Sequence, residues 1–498
     1  MRIGNIFFLI LASMLLLCSC GNEQTEPAKR IKVDSVVNCT YNPQSIEIKF
    51  SLEGANGGEK VSLSVAKSGK WIENTSIKEG SIIVTVSENS GEARTTTLTL
   101  SSAGYSSATI KLTQHSQTSV TAPHTLMFYF FGTSLGRFFT TNIDDAKLAI
   151  KRGALGKHNR MVYFRQHNAN DGYIAEVCYD KATNSCYESI IEDHIAIEGN
   201  PIDPEYISQT INKMAAIAPA KRYGLVMAGH GHAWLTREYL NGGSSAGVSQ
   251  AGVWTSPFTP APGAEITRAF GERNVQVNSA EIAEGIEGSN IDIDYILFDA
   301  CFMSSIEVAY ELRNSANYII ASPCEIMGRG FPYERTLPHL FKNDGATTDY
   351  IAAAESYYRY YRDEYTSSQR CGSIAVYECS ELEALRDATK EIVKSAKSDY
   401  NIDAIQTYEG QNPHYFYDFG QWAEAVATDN AAYQNFKTQL DKTIIAKYTL
   451  DTFYSAYGSY GSHPINVEAY SGLTTSAPSS KLETEWQATE WYKSVWQL

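Results

Sequence analysis

Two apolar segments of this chain end in side chains that could make and break an acyl bond. Residues 223–228, Tyr-Gly-Leu-Val-Met-Ala, run into Gly229-His230-Gly231, and residues 295–298, Tyr-Ile-Leu-Phe, run into Asp299-Ala300-Cys301. A free thiol, with a pKa of about 8.5, is only a few per cent thiolate at neutral pH; a nearby imidazolium or helix N-terminus lowers that value. If the two segments are neighbouring strands, the imidazole of His230 and the thiol of Cys301 emerge side by side. Cys301 is followed at once by a helical pattern, which would add a helix N-terminus to the thiol's surroundings. Gly231 lacks a side chain, so its N–H can approach a developing oxyanion closely, with the Cys301 N–H as a second donor. Asp299 lies two residues before Cys301, and on extended backbone both side chains face the same way. Its charge opposes thiolate formation, so it suits attraction of a cationic substrate group better than support of the nucleophile.

These residues need elements to hold them. Continuous apolar runs at 126–131, 161–164, 223–228, 295–298 and 318–321 suit strands buried on both faces, and helical spacing at 203–217, 304–314 and 333–341 alternates with them. Further helices are expected at 350–365 and 381–396, with a strand at 372–377. Residues 125–498 therefore read as an α/β unit, a mostly parallel sheet with helices on both faces, whose site would lie outside the C-terminal ends of the strands. The tail 407–498, rich in Tyr and Trp, is expected to pack on the same unit. Residues 31–116 carry short alternating strands punctuated by Gly and Asn, the pattern of a small all-β sandwich, and 117–124 form the linker.

With 498 residues, two or three domains are expected. The net charge of −15 leaves no phosphate-seeking surface and argues against a nucleic-acid partner. Residues 1–20 combine Arg2, an apolar run and Leu17-Cys18-Ser19-Cys20, and resemble a bacterial lipoprotein signal. That resemblance implies acylation of Cys20, a tether over 21–30 and an anchored location at the bacterial outer membrane or cell surface, with a periplasmic face as the alternative; Glu23 and Glu26 favour the outward face. Of nine cysteines, seven remain once Cys18 and Cys20 are set aside, an odd number that leaves at least one thiol unpaired within the chain. Cys178 and Cys186 flank a turn and could bridge a hairpin.

The ordered set of motifs resembles the clostripain-like cysteine peptidases of the caspase-fold group. The resemblance rests on Gly-His230-Gly and Asp-Ala-Cys301, then Ala233-Trp234, residues 305–310, Ser322-Pro-Cys-Glu325, Gly330-Phe-Pro-Tyr333 and the ending from Asn466 to Tyr492. It implies an endopeptidase without a cofactor, acting on protein or peptide substrates. In it His230 is the catalytic histidine, Cys301 the nucleophile, Gly231 the oxyanion support, and Asp299 part of a pocket favouring Arg or Lys before the cut; Ser322 and Glu325 join the substrate-binding residues. Arg329 falls in the loop beside that pocket, where its charge would weaken a basic preference, and His232 stands where a small residue is usual. The family also implies activation by cleavage between the two strands. In the insertion 241–289, Arg268 and Arg273 are the basic candidates. Trp71, residues 82–89, Arg94 and residues 110–114 resemble a BACON domain, found on gut bacterial surface proteins, which implies a spacer or a glycan-binding module.

Other readings use the same residues. His230 and His232 could be metal ligands, but no third ligand of suitable spacing is near, so no metal is expected. Gly132-Thr-Ser134-Leu-Gly136 matches the elbow of serine hydrolases, although it follows the first strand of the unit and no clear helix starts right after it. A non-catalytic surface adhesin is the alternative from another class.

Overall fold

A computed structural model describes residues 29–497, apart from 40, 42, 56, 88, 90–92, 115–120, 181–182, 198–199, 241–262, 271–275, 277, 458–463 and 478–481. The leader with Cys20, nearly all of the tether, Arg273 and most of the first half of the insertion thus lie outside the described residues. Contacts divide the chain into two units, Met1–Gln117 and Thr118–Leu498.

The first unit is all β. Strands β1 (Arg30–Val33), β3 (Gln44–Glu53), β6 (Ser81–Val86) and β5 (Ile72–Lys78) form one sheet in that order. Strands β2 (Val36–Cys39), β8 (Ala108–Gln114), β7 (Arg94–Ser102) and β4 (Val61–Val65) form the other. The two-residue period of the sequence is what builds the core: Ile82, Val84 and Val86 from one sheet and Leu98, Leu100, Ile110 and Leu112 from the other are all buried in a single cluster. The Arg94 guanidinium lies 4.9 Å over the Trp71 ring, and its Nε donates to Gln114 Oε1 at 2.8 Å, so three residues far apart in sequence clasp one another.

The second unit is built on a nine-stranded sheet. In chain order its strands are β9 (Thr125–Phe130), β10 (Arg160–Asn168), β11 (Asp171–Asp180), β12 (Ser185–Ala196), β13 (Tyr223–Ala228), β14 (Ile293–Asp299), β15 (Tyr318–Ala321), β16 (Ile374–Glu378) and, after the short β17 (Tyr417–Asp418), β18 (Ile444–Tyr448). The spatial order is β12-β11-β10-β9-β13-β14-β15-β16-β18. Its centre, from β10 to β15, is parallel. The crossovers there contain helices: α1 (Gly136–Lys151), α2 (Pro204–Ile217), the one-turn α3 (Arg237–Leu240), α4 (Ser279–Glu287) and α5 (Ile306–Glu311). Every residue of β9 is buried. At about 1.5–3 kcal/mol for each large apolar side chain buried, these central strands dominate the cohesion of the unit.

Both flanks of the sheet are antiparallel, which the continuous apolar runs did not foretell. Strands β10 and β11 are joined by a two-residue turn, too short for a crossover, and β12 is amphipathic rather than wholly apolar. In the β11–β12 hairpin Cys178 stands opposite Tyr187 and Cys186 opposite Tyr179, so the two thiols point to opposite faces and the bridge they could have formed is not made. The elbow-like 132–136 also departs from expectation. It is followed immediately by the sixteen-residue helix α1, and β9 sits in the middle of the sheet. That helix escaped the sequence reading because its first turn, Gly136-Arg-Phe-Phe, has no acidic residue, and Leu135 before it caps nothing with its side chain. The later helices α6 (Tyr333–Leu340), α7 (Tyr350–Asp363) and α8 (Leu382–Val393) fall close to their expected positions. The aromatic tail packs back on the strand ends, where the Ser304 hydroxyl donates to the Gly472 carbonyl at 2.7 Å.

Candidate active site

Strands β13 and β14 pair in parallel with Ala228 opposite Asp299, so the segments carrying His230 and Cys301 leave the sheet together. They are pressed tightly: a Cβ on Gly231 would lie 2.1 Å from the Cys301 carbonyl oxygen and 2.8 Å from its nitrogen. The need for glycine there is thus steric as well as electrostatic. Immediately after the thiol, Phe302 takes φ of +63°, held by its N–H bond to the Cys324 carbonyl at 3.0 Å. This turn delays the following helix. Helix α5 begins at Ile306, with the Ser305 hydroxyl accepting from the Val308 N–H, so the helix does not start directly behind Cys301 as the sequence pattern suggested.

His230 is nearly buried, and its Nε2 lies 3.0 Å from Ser134 Oγ, on the turn Thr133–Leu135 between β9 and α1. The neighbouring His232 is fixed differently: its Nδ1 lies 2.6 Å from the Leu235 carbonyl, and burial pulls its pKa down to about 4, leaving a neutral ring. Among the described residues no group of three or more His, Cys, Asp or Glu is disposed to hold a metal ion.

Residues 266–270 of the insertion run through this site as a strand-like segment that ends at Phe270, whose φ is +57°. Gly328 N–H donates to Ile266 O at 2.6 Å, Arg268 N–H to Ile326 O at 2.8 Å, Gly231 N–H to Arg268 O at 2.9 Å, and Phe270 N–H to Gly231 O at 3.1 Å. The Arg268 side chain is wholly buried. Its Nη1 is 2.9 Å from Asp299 Oδ2 and 3.0 Å from the Asp299 carbonyl; Nη2 donates to Asn142 Oδ1 at 2.8 Å and to Gly328 O at 3.0 Å; Nε donates to Gly328 O at 3.2 Å. Asp299 is steadied from behind by the Tyr333 hydroxyl at 2.9 Å and the Phe331 N–H at 3.3 Å. Burial raises the Asp299 carboxyl above its ordinary range, and Arg268 is the largest influence pulling it back. Gly330, with φ of +72°, closes the pocket: a Cβ there would meet Arg268 Nη2 at 2.3 Å and both Asp299 carboxylate oxygens at 2.6 Å. Asn142 comes from α1, and with that helix unread no sequence signal pointed to it.

Arg329 does not face this pocket. Its Nη2 pairs with Asp145 Oδ2 at 2.7 Å and its guanidinium lies 6.0 Å over the Tyr360 ring, so its charge is answered elsewhere. Glu325 meets the strand directly, accepting from the Thr267 hydroxyl and the Ser455 hydroxyl, both at 2.5 Å, and from the Ala456 N–H at 3.1 Å. Its burial pushes the carboxyl pKa up to about 7. Ser322 is buried, and its hydroxyl donates within its own turn to the Cys324 carbonyl at 3.1 Å. The Cys301 thiol beneath the strand is buried too. Burial pushes its pKa well above the ordinary value and the Glu325 charge adds to this, opposed by the Ile326 N–H, which donates to Sγ at 3.0 Å.

The site holds the chain's own segment 266–270, with the Arg268 carbonyl on the Gly231 N–H beside Cys301. Known proteins share this framework. A family model described as the clostripain family matches residues 267–484. Clostripain from Hathewaya histolytica is 26% identical over 157 residues, which is 30% of this chain and 27% of that protein's length. A secreted C11 cysteine protease from Bacteroides thetaiotaomicron superposes with a TM-score of 0.64 at 26% identity, over 76% of this chain and 100% of that one. An inactive zymogen of a C11 protease from Parabacteroides distasonis gives a TM-score of 0.61 at 27% identity, over 76% of this chain and 99% of that one. The shared sheet, the ordered motifs and these matches lead to one conclusion: the chain belongs to the clostripain family of cysteine peptidases.

Proposed function

We propose that the protein is an arginine-directed cysteine endopeptidase with Cys301 as nucleophile and His230 as acid/base group, made as a precursor whose own Arg268–Ala269 bond is its first substrate. The observation that carries this reading is the strand 266–270, which is bonded through its main chain to Gly231, Ile326 and Gly328 with the Arg268 guanidinium on Asp299. A peptide held so has its arginine carbonyl oxygen on the Gly231 N–H, where negative charge develops during acyl transfer. The Cys301 sulfur attacks that carbonyl carbon and its proton passes to His230; the imidazolium returns the proton to the leaving amine, and the thioester is then hydrolysed by a water that His230 deprotonates. All the guanidinium N–H directions meet acceptors, which favours Arg over Lys before the cut, because an ammonium reaching Asp299 would leave Asn142 or the Gly328 carbonyl short of a donor. Arg273 is the second processing candidate.

Fluorogenic peptides with Arg, Lys, Ala, Leu or Asp before the cut test the reading, comparing the protein with its Cys301→Ala and His230→Ala variants. Hydrolysis of Arg peptides that both substitutions abolish is expected. Turnover confined to other peptides would discard the assigned pocket, and silence across the panel would favour the adhesin. The contact between Ser134 and His230, with α1 starting directly after the turn, favours a second reading in which Ser134 is the nucleophile. Labelling of Ser134 by a serine-reactive phosphonate, with activity kept in Cys301→Ala, would establish it. The leader supports acylation of Cys20 and anchoring at the cell surface, which metabolic labelling with a radioactive fatty acid tests against Cys20→Ala. Glycan binding by the first unit is tested on immobilised mucin glycans.

A further inference from the structure

The strand 266–270 touches the site with more than its arginine. Thr267, one residue before it, is buried, and its hydroxyl lies 2.5 Å from Glu325 Oε2. Glu325 is itself buried and is held from the other side by the Ser455 hydroxyl at 2.5 Å and the Ala456 N–H. Its carboxyl therefore sits inside a ring of short neutral donors, one of which belongs to the peptide in the cleft. We infer that Glu325, backed by Ser455, is a specificity-determining residue that selects substrates with Thr or Ser immediately before the arginine. This inference rests on the arginine-directed peptidase reading above.

Hydrogen-bond satisfaction at Glu325 sets this preference. In either protonation state a carboxyl group exchanges a hydrogen bond with a hydroxyl: it accepts as a carboxylate and can donate as an acid. A methyl group does neither. Valine has nearly the shape of threonine, so in its place the packing would persist while Glu325 Oε2 kept only the Ala456 N–H at 3.2 Å. A site built around a substrate hydroxyl discriminates against the analogue lacking it far more strongly than an apolar pocket discriminates by size. Aspartate would bring a second negative charge against Glu325, and long side chains would not fit a pocket in which Thr267 is already enclosed.

The test is the wild-type protein's kcat/KM on four fluorogenic peptides identical except for Thr, Ser, Val or Ala before a common Arg. Thr and Ser peptides are expected to exceed the Val and Ala peptides by about 10- to 100-fold. Equal turnover of Thr and Val peptides, within about threefold, would overturn the inference while leaving the peptidase intact. No turnover of any Arg peptide would overturn the peptidase reading and this one with it. In Glu325→Gln the Thr-to-Val ratio is expected to shrink to a few-fold while the Val peptide is still cleaved, whereas a purely structural defect would lower both peptides together and leave the ratio unchanged. Because the first comparison uses only wild-type protein, it stands even if that variant fails to fold.

Discussion

Replacing Asp299 by Asn keeps the side chain's shape and removes its charge. The Arg268 guanidinium and the Asp299 carboxylate are both fully buried and 2.9 Å apart, so the charge lost is one that no water replaces. The guanidinium would keep the Asp299 carbonyl, Asn142 and Gly328 as neutral acceptors, so the deficit is electrostatic rather than a wholesale loss of hydrogen bonds. Removing one partner of such a pair costs about 3–5 kcal/mol. At 1.36 kcal/mol per decade, this is a fall of roughly two to four orders of magnitude in kcat/KM for an arginyl peptide. Citrulline, the neutral isostere of arginine, supplies the control. The wild type should prefer arginine to citrulline strongly, and Asp299→Asn should bring the two close to parity, chiefly by losing the arginyl peptide. An arginine-to-citrulline ratio unchanged by the substitution would refute the assignment of the charge to this pocket.

Three further outcomes are expected. Gly231→Ala should abolish peptide hydrolysis, since its Cβ would lie 2.1 Å from the Cys301 carbonyl oxygen; retained activity at near-wild-type rate would contradict the close pairing of the two strand ends. Ser134→Ala removes a hydrogen bond to His230 worth about 0.5–1.5 kcal/mol and should lower kcat/KM by a few-fold to about tenfold, whereas complete loss would point to Ser134 as nucleophile. For Glu325, a folded-state pKa of about 7 against an ordinary 4.5 means that the native protein holds a proton the unfolded chain has released. Its stabilising contribution is therefore full below about 4.5 and fades as pH rises to about 7. Thermal unfolding from pH 4.5 to 7.5 should show Glu325→Gln gaining on the wild type as pH rises, and a constant difference would contradict it.

The central strands were legible because parallel strands between helices are apolar along their whole length, and β9, β13 and β14 announce themselves in this way. The two strand ends with His230 and Cys301 were legible for the same reason. Strands β11 and β12 lie at the sheet's edge and are only half buried, so their composition carries less signal. Helix α1 lacks an acidic first turn and a capping side chain, and with it Asn142 and the contact to Ser134 stayed hidden. Arg268 could be named as a basic residue of the insertion, but its pairing with Asp299 depends on where the chain folds back. The same holds for Ser455 against Glu325, two residues 130 apart in sequence. Sequence order pointed to the proposed reacting groups, and long-range packing decided what touches them.

The most direct test of the account is the mass and N-terminal sequence of the fragments formed when the purified precursor is incubated, with Cys301→Ala in parallel. The wild type is expected to yield a new chain beginning at Ala269, while Cys301→Ala remains a single chain. A cut in the Cys301→Ala protein, or a wild-type fragment that begins elsewhere while Arg268–Ala269 stays intact, would contradict it.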